Sequence, residues 1–223
     1  MKKIFKRMKK PKIFIACDTT DLRRVRQILR ETQNSEINFG YKFGLEFLNS
    51  KGGRHFVSTL RNKITFGDYK LADIPNTCAS AIRAVRDLKL NYITIHISSG
   101  LQALKEAKKA SGKTKLIGVT ILTSLHNKSL REIGFEKDVK KLVLHQAKLA
   151  TKANLDAIVC SPHEIKIVKR FFKKEIITPG IRLSGDSKGD QKRVMTPKQA
   201  FQNGATALVM GRSLTSNIKK ISK

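Results

Sequence analysis

The sequence has few acidic residues and no tryptophan. Seventeen Asp and Glu stand against 46 Lys and Arg, which gives a formal net charge of +29 over 223 residues. A charge of this size attracts polyanions and phosphorylated small molecules. The cations are scattered along the chain, however, without zinc-finger spacing or an RNA-reading motif with interleaved aromatic residues. We therefore expect lysine-rich solvated helix faces, and nucleic-acid binding is the less favoured alternative.

Cysteine is also scarce, and long apolar runs are absent. Cys17, Cys78 and Cys160 lie far apart, and five histidines are scattered. This pattern argues against a disulfide framework or a metal site, and it predicts free thiols in a reducing compartment, the cytoplasm. With no run of about 18 apolar residues, no membrane span is predicted. The basic residues 1–12 lead directly into a strand-like run, so we expect a tail and not a secretory signal.

Short β-branched apolar runs alternate with amphipathic stretches of helical period. The predicted strands are Ile13–Asp18, Ile37–Phe43, Ile64–Lys70, Tyr92–Ser98, Leu116–Leu122, Ala157–Ser161, Ile176–Ile181 and Ala207–Gly211. The predicted helices are Leu22–Thr32, Leu45–Leu60, Asn76–Leu88, Leu101–Ser111, Glu136–Lys152, Pro162–Phe172, Pro197–Asn203 and Ser213–Ile221. Eight alternating units of about 28 residues match a (β/α)8 TIM barrel, formed as a single domain by residues 13–223.

A doubly wound sheet is the alternative fold. Such a sheet usually carries a glycine-rich turn after its first strand. This chain has Asp18-Thr19-Thr20-Asp21 at that point. The barrel is therefore the favoured fold.

In a barrel of this kind, chemistry takes place at the carboxyl ends of the strands. Asp18, Lys42, Asp68 and Lys70 stand at such ends, and Asp73 follows shortly after. Because positions two apart on a strand share a face, Asp68 and Lys70 should point together into the barrel mouth, next to Lys42. With Asp73, they would form a group of alternating charges in which each neighbour keeps the others ionised. We interpret this group as catalytic. A structural salt-bridge network is the alternative, although desolvating four charges makes it costly.

The stretch from Asp68 to Thr77, Asp-Tyr-Lys-Leu-Ala-Asp-Ile-Pro-Asn-Thr, resembles the signature of the orotidine 5′-phosphate decarboxylase family. Other blocks resemble further strands of that family, in family order, and together they cover nearly the whole chain from Ile13. These blocks are Ile15–Asp18, Tyr41–Gly44, Val119–Ser124, Thr178–Arg182 with Gly189–Arg193, and Val209–Arg212.

The resemblance implies a reaction without metal or organic cofactor, in which a proton replaces the C6 carboxylate of orotidine 5′-phosphate to give UMP and carbon dioxide. It implies that Asp68 lies against the substrate carboxylate and that Lys70 stabilises the charge at C6 and protonates it. Lys42 would bridge Asp68 and the ribose. A homodimer with shared active sites is also implied, in which Asp73 and Thr77 come from the partner subunit.

Three polar residues are expected to bind the nucleoside part of the substrate. Asp18 would accept hydrogen bonds from the ribose, and Thr123 and Ser124 would bind the pyrimidine. From the residues alone, a helix-capping Asp and an ordinary turn after a strand explain them almost as well.

The phosphate is expected after the last two strands. Gly211 and Arg212 open the last helix, where backbone N–H groups and a guanidinium suit a phosphate. The long segment 183–192 would close over it, with Arg182 and Gln191 as contacts.

One departure from the family pattern leaves a second enzyme class open. Ala72 stands where many relatives have His, and the magnesium-dependent 3-keto-L-gulonate 6-phosphate decarboxylases commonly have Ala there. Their motif continues Ala-Gly, whereas this chain continues Ile74-Pro75, and they lack a lysine at the position of Lys42. Both differences favour orotidine 5′-phosphate as the substrate.

Overall fold

A computed structural model of the chain describes residues 13–183, 195–216 and 218. Its eight parallel strands pair in chain order, and the first also pairs with the last, so the sheet closes into a barrel. The predicted (β/α)8 barrel is confirmed, and the doubly wound alternative, an open sheet, is wrong. Among the described residues, no helix is long and apolar enough to cross a membrane.

The strands and helices are numbered in chain order. The strands are β1 (Ile13–Ala16), β2 (Phe39–Phe43), β3 (Ile64–Leu71), β4 (Tyr92–His96), β5 (Lys115–Val119), β6 (Ala157–Val159), β7 (Glu175–Thr178) and β8 (Ala207–Met210). The α-helices are α1 (Leu22–Thr32), α2 (Leu45–Leu48), α3 (Gly53–Thr59), α4 (Pro75–Ala84), α5 (Gly100–Ser111), α6 (Asn127–Glu132), α7 (Val139–Lys152), α8 (Ile165–Phe171), α9 (Pro197–Asn203) and α10 (Arg212–Thr215). Short 3-10 turns span Arg86–Leu88 and Ile97–Ser99.

The single helix predicted over Leu45–Leu60 is wrong. The structure has two helices there, α2 and α3, separated near Gly52 and Gly53. A Cβ atom on Gly53 would lie 1.7 Å from the carbonyl oxygen of Phe47. The chain therefore folds back on itself more closely than any side chain permits, and this close approach ends the first helix.

Other boundaries move by a few residues. The helix predicted from Glu136 begins at Val139, because the Asp138 side chain accepts the backbone N–H of Lys141 and caps the helix there. The strand predicted to end at Asp18 ends at Ala16, and several others also end early. Some candidate site residues therefore stand on loops just beyond the strands.

Three aromatic rings fill the axis of the barrel. The ring of Phe14 meets those of Phe66 and Tyr92 edge to face, each at 5.2 Å between centroids. Gly40 makes room for this arrangement, since a Cβ atom on it would lie 2.5 Å from the Phe14 ring. We call Phe14, Phe66 and Tyr92 the aromatic plug. It separates the carboxyl-terminal mouth of the barrel from the amino-terminal base.

The base carries its own charged group. Lys115 donates to Oε1 of Glu175, and the Tyr92 hydroxyl donates to Oε2 of the same carboxylate at 3.1 Å. Lys115 also lies 5.0 Å from the centroid of the Tyr92 ring. We call Tyr92, Lys115 and Glu175 the base cluster. Because it starts β4, β5 and β7, it ties three strands together at the end opposite the mouth.

Candidate active site

A cavity of about 510 Å³ opens at the mouth of the barrel. Phe66, the plug residue nearest the mouth, contributes to its lining together with Val159 and Val209. The floor is therefore apolar, and the charged groups stand around it. The charged lining residues are Asp18, Lys42, Asp68, Lys70, Arg182 and Arg212.

Asp68 and Lys70 reach this cavity from an irregular end of β3. Gly67 is in register with Ile93 of β4, and the next registered pair is Leu71 with Ile95, so four steps along β3 match two along β4. Lys70 adopts a left-handed backbone conformation with a φ of 49°, which is uncommon for a residue with a side chain. Bulges of this kind redirect side chains next to active sites. Both side chains line the cavity, as strand alternation predicts, but they do so through a bulge.

Two acids and two lysines form one ion cluster in the cavity. Nζ of Lys42 lies 2.8 Å from Oδ1 of Asp18 and 3.4 Å from Oδ2 of Asp68. Nζ of Lys70 lies 2.7 Å from the same Oδ2 of Asp68. The side chains of Lys42 and Asp68 are only 9% and 11% exposed, whereas that of Lys70 is 33% exposed. We call Asp18, Lys42, Asp68 and Lys70 the mouth cluster.

The cluster holds its central pair in the charged state. Burial alone would lower the pKa of Lys42, but the carboxylates of Asp68 and Asp18 outweigh burial and raise that pKa above its ordinary value. Burial alone would raise the pKa of Asp68, but the ammonium groups of Lys42 and Lys70 outweigh it and lower that pKa. At neutral pH the cavity therefore contains a buried carboxylate between two cations.

Comparison with known proteins identifies the family. Residues 11–220 match the family model described as Orotidine 5'-phosphate decarboxylase / HUMPS family. The chain belongs to this family. It is 41% identical over 221 residues to the orotidine 5'-phosphate decarboxylase of Prochlorococcus marinus (strain MIT 9215), with 93% of this chain and 90% of the relative covered. The resemblance seen in the signature is thus confirmed over nearly the whole chain.

Two further relatives agree with this assignment. The chain is 40% identical over 203 residues to the orotidine 5'-phosphate decarboxylase of Haemophilus ducreyi, covering 83% of this chain and 88% of the relative. The crystal structure of orotidine 5'-phosphate decarboxylase from Lactobacillus acidophilus superimposes with a TM-score of 0.81 at 30% identity, over 96% of both chains. These relatives favour the decarboxylase of orotidine 5′-phosphate over the magnesium-dependent alternative.

Asp73 and Thr77 of the family signature lie outside the cavity of their own chain. Both are exposed, in the loop after β3 and in the first turn of α4. The Asp73 carboxylate accepts the backbone N–H of Ile74 at 2.7 Å. In one chain, Asp18 therefore occupies the second acidic position of the cluster, where the sequence predicted Asp73.

The remaining candidates fall into three groups. Thr123, Arg182, Gly211 and Arg212 line the cavity. Ser124 follows Thr123 in an exposed turn and is not among the described residues that line the cavity. Gln191 and most of the predicted closing segment lie outside the described residues, as does the predicted tail 1–12.

The structure adds Thr94, a site residue that the sequence pattern did not single out. Its hydroxyl donates to Oδ1 of Asp68 at 3.1 Å and accepts the backbone N–H of Lys70 at 2.8 Å. The one feature of the sequence that could have indicated this role is a single hydroxyl residue, Thr94, between Ile93 and Ile95 in an otherwise apolar strand.

His96, two residues further along β4, is half-buried. Burial and, to a smaller extent, the charge of Lys70 lower its pKa.

Of the described residues, no three His, Cys, Asp or Glu side chains converge in the way a metal site requires. The acids of the mouth cluster are instead paired with lysines. The residues present therefore suit chemistry in which ammonium groups supply the positive charge.

Proposed function

We propose that this chain decarboxylates orotidine 5′-phosphate to UMP and carbon dioxide in pyrimidine biosynthesis, with the mouth cluster as its catalytic machinery and without a cofactor. Family membership and the 41% identical relative support the reaction. The observation that carries the mechanism is a nearly buried Asp68 shared by two lysines in a cavity of substrate size.

The carboxylate of Asp68 acts on the bound substrate. When the C6 carboxylate of the pyrimidine lies against it, two negative charges meet in surroundings from which water is largely excluded. Their repulsion is relieved as carbon dioxide leaves, so the substrate carboxylate is destabilised more than the transition state.

Lys70 acts on the electron pair that remains at C6. Its ammonium group contacts Asp68 at 2.7 Å and is the more exposed of the two cluster lysines, with 33% of the side chain accessible. It can therefore stabilise the developing negative charge and then transfer a proton to C6, which leaves Lys70 neutral until solvent protonates it again. Lys42 is almost buried between two carboxylates and holds Asp68, with the ribose as its further contact.

The rest of the cavity binds the substrate. Arg182 and Arg212 follow β7 and β8, the usual place for a phosphate in a barrel enzyme, and Gly211 and Gln191 join them. Asp18, with half of its side chain exposed, accepts hydrogen bonds from the ribose. The pyrimidine is bound on the β5 side. The residues proposed there are Thr123 and Ser124.

We also propose a homodimer with shared active sites. Asp73 and Thr77 are exposed beside the mouth, and Ile74 between them is 67% exposed, an unusual state for a large apolar side chain next to a functional signature. If a partner subunit covers this loop, Asp73 and Thr77 of this chain reach the partner's cavity, and by symmetry the partner supplies the same two residues to the cavity of this chain.

The proposal includes the domain organisation and the compartment. Residues 13–223 form one catalytic domain, preceded by a basic tail, residues 1–12. The three cysteines are buried and are not joined by disulfides, which suits the reducing conditions of the cytoplasm.

The decisive experiment is an assay of the purified chain with orotidine 5′-phosphate in the presence of EDTA. The loss of pyrimidine absorbance and the formation of UMP are followed together. Turnover that EDTA does not change is expected. Turnover only of 3-keto-L-gulonate 6-phosphate, lost on chelation and restored by magnesium, would assign the chain to the other enzyme class. Salt-sensitive retention on DNA without turnover of either substrate would favour the nucleic-acid alternative.

A further inference from the structure

The bulge in β3 leaves the backbone of Lys70 outside the regular ladder. The registered pairs jump from Gly67 to Leu71, so the Lys70 N–H lies in the interrupted stretch. The Thr94 hydroxyl accepts that N–H at 2.8 Å. A side chain of β4 thus takes the place of the backbone hydrogen bond that a regular strand would make at Lys70, the proposed proton donor.

The same hydroxyl also holds the carboxylate of Asp68. An ionised carboxylate can only accept, so the Thr94 hydroxyl uses its single proton for Oδ1 of Asp68, at 3.1 Å. Its lone pairs remain for the Lys70 N–H. The donor and acceptor roles of the Thr94 hydroxyl are therefore fixed: it accepts from the Lys70 amide and donates to Asp68.

The two oxygens of Asp68 are divided between two kinds of partner. Thr94 contacts Oδ1, whereas Lys42 and Lys70 both contact Oδ2. The bond to Oδ1 opposes rotation of the carboxylate, and so keeps Oδ2 between the two ammonium groups.

Thr94 is well placed to act as a fixed support. It is fully buried, and its backbone belongs to the regular β4–β5 ladder, in register with Ile117. It does not line the cavity. We infer that Thr94 is a positioning residue for the proposed decarboxylation, which holds the left-handed backbone of Lys70 and the orientation of Asp68 together through one hydroxyl.

The test is the isosteric substitution Thr94→Val, with Thr94→Ser as the matched control that keeps the hydroxyl. Because small displacements of reacting groups are costly, we expect kcat for orotidine 5′-phosphate to fall on the order of 10- to 100-fold in the Val variant. KM should stay within about threefold, since Thr94 does not touch the cavity, and the Ser variant should stay within about threefold of wild type in both parameters.

A second measurement reports on Lys70 without the decarboxylation step. In deuterated water, Lys70 in its neutral amine form can take the C6 proton of UMP, which is the reverse of the proposed protonation. The resulting ammonium group exchanges its protons with the solvent and returns a deuteron to C6. The rate of deuterium exchange, followed by proton NMR, should fall in Thr94→Val by a factor similar to that for kcat. The inhibition constant of UMP should be unchanged. A merely structural role would reduce UMP affinity together with the exchange rate.

Several outcomes would overturn the inference. These are a Val variant with kcat within twofold of wild type, a Ser variant as slow as the Val variant, or a parallel loss of UMP affinity and exchange rate. If Thr94→Val does not fold, as judged by its circular dichroism, Thr94→Ala is measured against the same Ser control. The inference about Thr94 rests on the proposed function, but different results would refute each of them. A wild-type chain without turnover refutes the function, whereas an active wild type with an equally active Val variant refutes only the role of Thr94.

Discussion

The two ends of the barrel both place lysines against carboxylates, but in different ways. In the base cluster, different groups contact the two oxygens of Glu175: Lys115 contacts Oε1 and the Tyr92 hydroxyl contacts Oε2. In the mouth cluster, two lysines share a single oxygen of Asp68, and one of those lysines has a left-handed backbone. The base cluster thus distributes its contacts over two carboxylate oxygens, whereas the mouth cluster brings two lysines to one oxygen beside an open cavity.

This difference leads us to propose that the base cluster stabilises the fold and that the mouth cluster performs the chemistry. At the mouth, the Lys70 side chain is 33% exposed although it contacts Asp68, so a substrate can reach its ammonium group. Its uncommon backbone conformation is retained because surrounding contacts hold it. The comparison predicts that substitutions in the mouth reduce catalysis, and that substitutions in the base reduce stability.

The largest expected effect is that of Lys70→Ala. Loss of the proposed proton donor should lower kcat by about 10³-fold or more, at the upper part of the range for a general acid. Lys115→Met at the base is the matched control, because it also removes a lysine paired with a carboxylate. Its kcat should stay within about twofold, and its free energy of unfolding should fall by about 1 kcal/mol. Steady-state kinetics and urea unfolding measure both. A Lys115→Met variant as slow as Lys70→Ala would remove the functional distinction between the ends.

In the proposed dimer, the mouth differs from the base also in needing a second chain. Lys70→Ala and Asp73→Ala should each be nearly inactive. When the two are unfolded, mixed equally and refolded, about half the dimers are mixed, and each mixed dimer has one site with no defect. Activity should recover to roughly a quarter of wild type. A mixture that stays inactive, although mixed dimers are demonstrated by mass spectrometry, would place Asp73 in the site of its own chain.

A smaller effect is expected on the far side of the cavity. Arg212→Ala removes the proposed phosphate contact and should cost about 2–5 kcal/mol of transition-state stabilisation, seen as a fall in kcat/KM. Arg54→Ala is the control, since Arg54 is half-exposed and pairs with Asp87 on the surface. It should change kcat/KM by less than about twofold. An Arg212→Ala variant within twofold of wild type would contradict the phosphate assignment.

The last prediction concerns stability against pH. The pKa of Asp68 is lower in the folded chain than in the unfolded one, so the unfolded chain binds the extra proton as pH falls. The stabilisation from ionised Asp68 is therefore present above about pH 4 and is lost as pH falls through the lowered folded pKa.

Comparison of wild type with Asp68→Asn measures this contribution. The wild type should be more stable by about 3 kcal/mol between pH 5 and 8, because the variant leaves Lys42 buried with a single carboxylate. The difference should shrink below pH 4. Chemical unfolding over this range gives the values, with the exposed surface carboxylate Asp87→Asn as the control. A difference that is constant down to pH 3 would show that Asp68 is not the titrating group.

Much of the barrel and of its mouth could be predicted from the sequence. Eight apolar runs specify eight strands, and alternation within β3 places Asp68 and Lys70 on one side. The residue pattern alone grouped Asp73 with Asp68 in one chain, because it does not record the path of the loop between β3 and α4. The family resemblance implied instead that Asp73 reaches the site of the partner subunit. The role of Thr94 depends on the register shift between β3 and β4, and the sequence of neither strand indicates that shift. The break at Gly52 and Gly53 was visible as a glycine pair, but only the contact with Phe47 shows why the helix must end.

The aromatic plug has a consequence for the movement of reactants. Phe14, Phe66 and Tyr92 lie below the cavity in one buried apolar cluster, in which the Phe14 ring packs edge to face on the other two. In the proposed mechanism, carbon dioxide formed beside Asp68 would therefore leave by the opening through which the nucleotide entered. Entry and exit share one route, so the departure of the gas and the retention of UMP are controlled at the same opening.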